Sequence, residues 1–253
     1  MKTLSLTIIG CILLFAGCKK ELSTINQTSS TNTAQTSPAV TSPIYLLNKA
    51  TYLIGGKIAN NGYHYDDKNR LTYVFLQRSA VVYRYNYDDN DNLVSAYKYR
   101  LDGTTLYGFQ TFTYSTNAIT VNNFRADSTS AGSCSLILNA KNQVTSLSCD
   151  PSIKYLYDSK SNVTDFQTIG GPQYSYLYDT SKHPLSMIGA KNIHLMYLAE
   201  QEPQTLVNNV IAMSHDNIIR LYLYKYNAVG FPVSAQVASN EGNYTITYQY
   251  LVK

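Results

Sequence analysis

Residues 83–93 read YRYNYDDNDNL, and this stretch predicts a β-hairpin. Tyrosine occupies every second position from Tyr83 to Tyr87, and a period of two places these rings on one face of a strand. The Asp/Asn run that follows is typical of a tight turn, because the side chain of Asp88 can accept hydrogen bonds from the following backbone amides. Leu93 then starts the outgoing strand. The stretch therefore predicts a strand, a tight connection and a second strand.

Six copies of this pattern occur along the chain. Leu or Val follows Asp or Asn five positions later in four of them: Asp66 to Leu71, Asp88 to Leu93, Asn139 to Val144 and Asp158 to Val163. The other two, Asp179 to Leu185 and Asn227 to Val233, carry one extra residue. A lone hairpin is marginal in water, so successive hairpins are expected to pair edge to edge. The sequence predicts an all-β fold, an antiparallel meander of Tyr-rich hairpins forming one large twisted sheet that can curl toward a barrel.

Tyrosine is the outstanding residue type, with 24 copies against 7 Phe and no Trp. Most of these rings are expected to pack the sheet, since aromatic cross-strand pairs stabilise it. The alternative is that some rings face solvent and bind a sugar or a partner protein. Aromatic density is highest at the candidate binding residues Tyr83, Tyr85, Tyr87, Tyr97 and Tyr99. The absence of Trp weighs against a strong glycan platform.

The first residues predict export from the cytoplasm. Lys2 precedes an apolar run at residues 4–15, which is too short for an ordinary membrane-spanning helix. The run ends in Phe-Ala-Gly before Cys18, which resembles the lipobox of bacterial lipoproteins, so residues 1–17 are interpreted as a lipoprotein signal peptide. Lipid on Cys18 would anchor the chain stably, because a lipoprotein cysteine carries at least two acyl chains. The alternative is an ordinary secretory signal with a cysteine at its cleavage site.

The mature chain is expected to have two parts. Residues 18–43 contain the lipidated cysteine and a Ser/Thr-rich segment with few aliphatic residues, which predicts a disordered tether. Residues 44–253 are interpreted as a single β-repeat domain. Helical periodicity is essentially absent, and residues 200–209 are interpreted as a loop with at most one turn. The net charge is +4 for the whole chain and +3 without residues 1–17, where Lys2 is lost, and it is too weak and dispersed to predict a nucleic-acid partner.

Two cysteines remain in the predicted domain, Cys134 and Cys149. The segment between them predicts a hairpin with its turn at residues 139–142, which would place the cysteines nearly opposite each other. A disulfide suits an exported protein, and two buried thiols are the alternative.

No catalytic or cofactor motif is visible in the sequence. His64, His183, His194 and His215 do not share a metal-ligand spacing. The acidic run at residues 88–92 resembles the start of a calcium loop, but Leu93 and Tyr99 occupy the places where such a loop needs glycine and glutamate. Turn formation is the favoured interpretation, and we expect no cofactor and no metal.

The repeated Tyr-x-Tyr-Asp-x-x-x-Asn-Leu pattern, the lipobox and the stretch YKYNAVGFP at residues 224–232 together resemble uncharacterised lipoproteins of Bacteroidota, a family with a domain of unknown function. The hairpin motif also resembles the YD repeats of Rhs and teneurin shells. These resemblances imply an outer-membrane lipoprotein that faces the cell surface or the periplasm. They bring no catalytic residue.

The expected function is a membrane-anchored, non-enzymatic binding module of the cell envelope, with a glycan or an envelope protein as its partner. The alternatives are a purely structural envelope scaffold and a hydrolase whose residues meet only in the folded chain.

Overall fold

The structure is a computed structural model that describes residues 42–167, 173–189 and 207–253. These residues belong to one compact unit, Ser42–Lys253. The predicted signal peptide, Cys18, the tether up to residue 41, His194 and most of the predicted loop at 200–209 lie outside them. Within the described residues, no helix is long and apolar enough to cross a bilayer.

The described chain folds into sixteen strands. They are β1 (Tyr45–Ile54), β2 (Lys57–Tyr65), β3 (Leu71–Leu76), β4 (Val81–Tyr87), β5 (Leu93–Arg100), β6 (Leu106–Tyr114), β7 (Ala118–Arg125), β8 (Ser130–Leu138), β9 (Val144–Leu147), β10 (Lys154–Tyr157), β11 (Val163–Gln167), β12 (Gln173–Lys182), β13 (Asn208–His215), β14 (Ile218–Tyr226), β15 (Pro232–Ser239) and β16 (Tyr244–Val252).

Each strand pairs antiparallel with the next one along the chain, which confirms the predicted meander. The first and last strands also pair, from Tyr45 opposite Val252 to Ile54 opposite Tyr244. This pairing closes the sheet into a barrel, a more specific outcome than the twisted sheet that the sequence predicts. A closed barrel has no unpaired strand edge.

The predicted turn chemistry is confirmed at the β4–β5 connection. Asp88 Oδ1 accepts hydrogen bonds from the backbone amides of Asn90 at 3.0 Å and Asn92 at 2.8 Å. The Asn92 side chain donates to the other carboxylate oxygen. Asp91 adopts a left-handed φ of 64°, a conformation that Asp and Asn tolerate better than most residues. Four other copies make the same contacts with the amides two and four residues later, through Asp66, Asn139, Asp158 and Asn227.

One copy departs from the pattern. Asp179 accepts the amide of Ser181, but its second amide comes from Asn209, far along the chain. Leu185 does not start a strand, because the chain leaves β12 at Lys182 and the next described strand is β13. The sixth predicted hairpin is therefore replaced by a long connection.

Connections in an up-and-down barrel alternate between its two ends, so the Asp/Asn turns of the six repeated copies all lie at one end, which we call the motif end. The described chain also begins and finishes there, where Ile44 and Lys253 exchange two backbone hydrogen bonds of 3.0 Å.

The tyrosine that precedes each Asp forms a hydrogen bond that links successive hairpins. The Tyr87 hydroxyl donates to the carbonyl of Leu71 at 2.6 Å, and Leu71 is the residue that restarts the strand in the preceding copy. Tyr157 donates in the same way to Val144, and Tyr178 to Val163, each at 2.7 Å. The motif therefore encodes a contact between neighbouring repeats as well as a turn.

Removing one such hydroxyl tests this contact. Tyr157→Phe is expected to lower the free energy of unfolding by about 1 kcal/mol, because the carbonyl of the buried residue Val144 loses its donor. Urea denaturation followed by circular dichroism measures the change. Tyr97→Phe, on the opposite face of the sheet, is the matched control, and an equal loss in both variants would contradict the role of the contact.

The barrel interior is filled by side chains, and tyrosine is the most frequent residue type among them. Tyr63, Tyr83, Tyr85 and Tyr155 are buried in one hydrophobic core with aliphatic residues from strands all around the barrel. Burial raises the pKa of Tyr155 to about 12. These buried residues agree with the prediction that most tyrosines pack the sheet.

The predicted disulfide is present. Cys134 and Cys149 are bonded, with Cα atoms 5.0 Å apart, across the β8–β9 hairpin. The register places Cys134 opposite Val121, whose side chain lies in the core.

Residues 183–189 lie across the motif end and are called the cap. Leu185 is buried in the core, and the Gly189 amide donates to the carbonyl of Asn69 in the β2–β3 turn at 3.0 Å. A Cβ at Gly189 would lie 2.3 Å from the Lys68 carbonyl oxygen, so this close approach requires glycine. Burial lowers the pKa of His183, at the start of the cap, to about 4.

Candidate binding surface

The structure divides the five candidate tyrosines between the two faces of the sheet. Tyr83 and Tyr85 point into the core and are only 3% and 6% exposed. Tyr87 belongs to the same face and bonds to Leu71. Tyr97 and Tyr99 lie on the outer face of the barrel, half-buried.

The β4–β5 register causes this division. Tyr83 is paired with Lys98 and Tyr85 with Ala96, whereas Tyr97 is paired with Arg84. Opposed residues in a sheet share a face, so the tyrosines of β5 project away from those of β4. The five residues are close in the fold but do not form one surface.

The outer face instead carries a continuous transverse row of aromatic side chains and one arginine, which we call the aromatic row. Each member is paired in register with the next on the neighbouring strand, from β2 to β7. Its members are His64, Tyr73, Arg84, Tyr97, Phe109 and Phe124.

Rings in the row stack face to face. The Tyr97 and Phe109 centroids are 5.2 Å apart with planes inclined by 21°, and those of Phe109 and Phe124 are 4.6 Å apart at 11°. Tyr99 stacks on Tyr97 along β5 with a centroid distance of 6.4 Å. At the other end of the row, His64 and Tyr73 make an edge contact at 5.2 Å. Stacked pairs of this kind stabilise by about 0.5–1.5 kcal/mol beyond the area they bury.

Gly108 permits the closest of these contacts. A Cβ at this position would lie 2.5 Å from the backbone oxygen of Phe124, which no side chain tolerates. Glycine therefore allows β6 and β7 to approach each other beside the Phe109–Phe124 stack.

Arg84 supplies a fixed positive charge in the middle of the row. Its guanidinium carbon lies 4.9 Å from the centroid of the Tyr99 ring, and Nη2 donates to the carbonyl of Gly103 at 3.1 Å. Asp102 organises that β5–β6 turn by accepting the amides of Thr104 and Thr105, each at 2.8 Å. The Thr105 amide is the largest cause that lowers the pKa of Asp102, to about 2.

This geometry suits a protein partner better than a sugar. A sugar ring stacks on the open face of an aromatic ring, but the faces of Phe109 are covered by Tyr97 and Phe124 on either side. The row therefore offers ring edges, the hydroxyls of Tyr73 and Tyr97, and the Arg84 guanidinium. Tyrosine and arginine are enriched among the residues that dominate protein–protein affinity.

The other side chains that the sequence offers as candidate ligands make local contacts in the described residues. Asp88 organises its turn, and Asp91 forms ion pairs with Lys68 at 3.1 Å and Arg70 at 2.9 Å. The Lys68 hydrogen bond is the largest cause that lowers the pKa of Asp91. Within the described ranges, no group of three or more His, Cys, Asp or Glu is placed to hold a metal ion. His215 is stacked on Tyr174, remote in sequence from both His64 and the cap histidine.

Sequence reasoning missed Tyr73, Arg84, Phe109 and Phe124. The available signal was their alternation with core residues, since Phe109 and Phe112 lie on opposite faces of β6 and Arg84 lies between two buried tyrosines. Only the registers show that the outward positions are aligned in one row.

No protein-family model matches the chain, and no curated protein matches it. Similar solved structures include a porin-like protein from Bacteroides uniformis, with 12% sequence identity, a TM-score of 0.41, and coverage of 83% of this chain and 97% of that one. A TcdB2–TccC3 structure has 14% identity and a TM-score of 0.23, and the Tc holotoxin pore of Photorhabdus luminescens has 13% and 0.20. The matches cover 75% and 77% of this chain but only 10% of each toxin chain. Similarity at this level carries no argument about activity.

Proposed function

We propose that the protein is a lipid-anchored, non-enzymatic module of the bacterial outer membrane that binds an envelope protein through the aromatic row. The observation that carries the proposal is the alignment of Arg84 with three stacked rings, Tyr97, Phe109 and Phe124, on the outer face of adjacent strands.

The anchor is supported by the lipobox-like residues before Cys18. Ile44 and Lys253 lie together at the motif end, so a tether would hold the barrel by that end. The aromatic row runs across strands β2 to β7, on the side of the barrel wall, where a partner in the envelope could reach it.

Binding is favoured over transport because the interior is occupied. Tyr83, Tyr85 and Tyr176 are at most 6% exposed, and Leu185 of the cap is buried in the same core at the motif end. An interior packed in this way leaves the outer wall as the surface that can recognise a partner.

Site-specific photo-crosslinking in cells tests the proposal. A benzoylphenylalanine at Tyr97 of the full-length chain is expected to give one discrete protein adduct, and Arg84→Ala is expected to reduce the yield several-fold because it removes the central charge of the row. The matched control carries the crosslinker at Leu156, an equally outward residue of β10 that is 50% exposed.

Two outcomes would contradict the proposed partner. Identical adducts from Tyr97 and Leu156 would show that contact is unspecific. A glycan array in which binding is lost on Tyr97→Ala, with no protein adduct in cells, would replace the protein partner with a carbohydrate.

A further inference from the structure

The inner face of the barrel becomes polar toward the end opposite the motif end, which we call the far rim. On β7, the inward residues Ile119 and Val121 are 1% and 7% exposed. The next two inward residues toward the far rim are Asn123, which is half-buried, and Arg125, which is exposed. The packed interior therefore stops before the far rim. The outer wall remains the surface for a protein partner, whereas this rim can admit a small molecule.

Two cationic residues flank a glycine on the inner face at the far rim. Lys98 is paired with the buried Tyr83 on one side and with Gly108 on the other. Gly108 is in turn paired with Arg125. The Cα atoms of the two cationic residues are therefore two strand spacings apart, about 10 Å, with no side chain between them. An anionic group that enters this gap can contact both cations.

Both cations keep hydrogen-bond donors for a ligand. The Lys98 ammonium lies 5.5 Å from the centroid of the Tyr83 ring, and no hydrogen bond joins it to another described residue. Within the described chain, the Arg125 guanidinium donates only through Nη1, to the Thr129 hydroxyl at 3.4 Å and the Ser130 carbonyl at 3.2 Å. Its Nε and Nη2 groups are the edge from which a carboxylate can accept two parallel hydrogen bonds.

The strands around the gap carry cations and no acids. Strands β5 to β8 contain Lys98, Arg100 and Arg125 but no Asp or Glu. Asp127, in the turn that follows β7, accepts hydrogen bonds from the amide and the hydroxyl of Thr129, at 2.9 and 2.6 Å. The inner face of these strands is therefore positively charged at the far rim and attracts anions.

A pair of amide side chains forms the next inward row. Gln110 Nε2 donates to Asn123 Oδ1 at 2.8 Å. This bond leaves Gln110 Oε1 as an acceptor and Asn123 Nδ2 as a donor, and hydroxyl groups can use both because they donate and accept hydrogen bonds. The row lies two residues deeper along the strands than the cations, about 7 Å.

Small residues leave space beside the amide pair. The row runs from Ala96 through Gln110 and Asn123 to Gly132. A Cβ at Gly132 would meet no other heavy atom within 4 Å, so the space beside this glycine is open. A ligand held by the cations at the rim can therefore extend inward to the amides.

We infer that the inner face of β5 to β8 at the far rim binds an acidic sugar. Its carboxylate lies between Lys98 and Arg125, and its hydroxyl groups bond to the Gln110–Asn123 pair. A neutral sugar would leave the two cations without a partner, and a simple anion would leave the amides unused. The site is on the opposite face of the sheet from the aromatic row and would remain if the proposed function failed.

Isothermal titration calorimetry with trigalacturonate tests the site in the full-length chain in lipid nanodiscs. Saturable binding is expected, and Lys98→Gln and Arg125→Gln are each expected to weaken it about tenfold or more, because each removes a hydrogen bond to a charged group. Lys154→Gln is the matched control. Lys154 is exposed and shares the outward face of β10 with Leu156, so its loss is expected to leave binding unchanged.

Two further measurements separate an acidic sugar from a neutral sugar and from a simple anion. Maltotriose, which has hydroxyl groups but no carboxylate, is expected to bind at least about tenfold more weakly than trigalacturonate. Gln110→Leu is expected to weaken trigalacturonate about fivefold, because a hydrogen bond between neutral groups is lost. Circular dichroism checks that each variant is folded, and Arg125→Gln, at the exposed rim, decides the result if Lys98→Gln unfolds.

Several results would overturn the inference. No binding of trigalacturonate, equal binding of maltotriose, or binding that Arg125→Gln leaves unchanged would each exclude an acidic sugar at this site. A loss in Lys154→Gln as large as that in Arg125→Gln would show unspecific attraction of a polyanion. Inorganic phosphate that displaces trigalacturonate at equal concentration would assign the gap to a free anion.

Discussion

Tyr83→Ala is expected to leave the domain largely unfolded at moderate temperature, whereas Tyr97→Ala is expected to leave it folded. Tyr83 is 3% exposed, its ring is stacked on Tyr85 with centroids 6.2 Å apart, and the Lys98 ammonium lies 5.5 Å from its centroid. Truncating a large buried aromatic residue costs about 3–5 kcal/mol, a large share of the roughly 5–15 kcal/mol that stabilises a typical domain. Urea denaturation followed by circular dichroism compares the two variants.

An equal loss of stability in both variants would contradict the assignment of Tyr83 to the interior and Tyr97 to the outer face. The distinction also decides how binding is tested. Substitutions at Tyr83 or Tyr85 would abolish binding by unfolding the barrel, so a functional variant must be made in the aromatic row.

Removal of the disulfide is the second change with a large expected effect. Replacing both Cys134 and Cys149 with Ser is expected to lower the free energy of unfolding by about 3 kcal/mol, because a bond across a sequence separation of 15 restricts the unfolded chain. The region is sensitive to this loss. Strand β9 has only four residues, and it meets β10 through the single pair of Ser146 and Lys154.

Denaturation of the wild-type chain with and without reductant measures the effect, and the double variant serves as the control that reductant should not change. A wild-type curve that reductant leaves unaltered would show that the bond contributes nothing to stability. A large shift would make the domain dependent on an oxidising compartment, as expected for an exported chain.

The turns were predictable because their interactions are local. Asp88 reaches the amides of Asn90 and Asn92 within four residues, and the same offsets recur at Asp66 and Asp158 whatever the rest of the chain does. The hairpin between Cys134 and Cys149 was predictable for the same reason, since its two strands are joined by one short turn.

The candidate site was only partly predictable. The spacing of two residues indicates that Tyr97 and Tyr99 lie on the same face of a strand. It does not indicate which face, because either face of an unassembled strand could turn toward the core. The interactions with Arg84 and Phe109 on the neighbouring strands depend on register. A shift of one residue would have exchanged the two faces.

The amino-acid sequence by itself determined five of the Asp/Asn turns and favoured the pairing of Cys134 with Cys149, because each depends on contacts within one hairpin. It also predicted the meander, since a lone hairpin is marginal and must pair with its neighbours. The tertiary structure alone decided the closure of β1 on β16, the cap across the motif end, and the division of side chains between a packed interior and an outer wall. Those features join residues as far apart as Tyr45 and Val252, and they depend on the summed twist and register of sixteen strands in the described chain, which no local pattern contains.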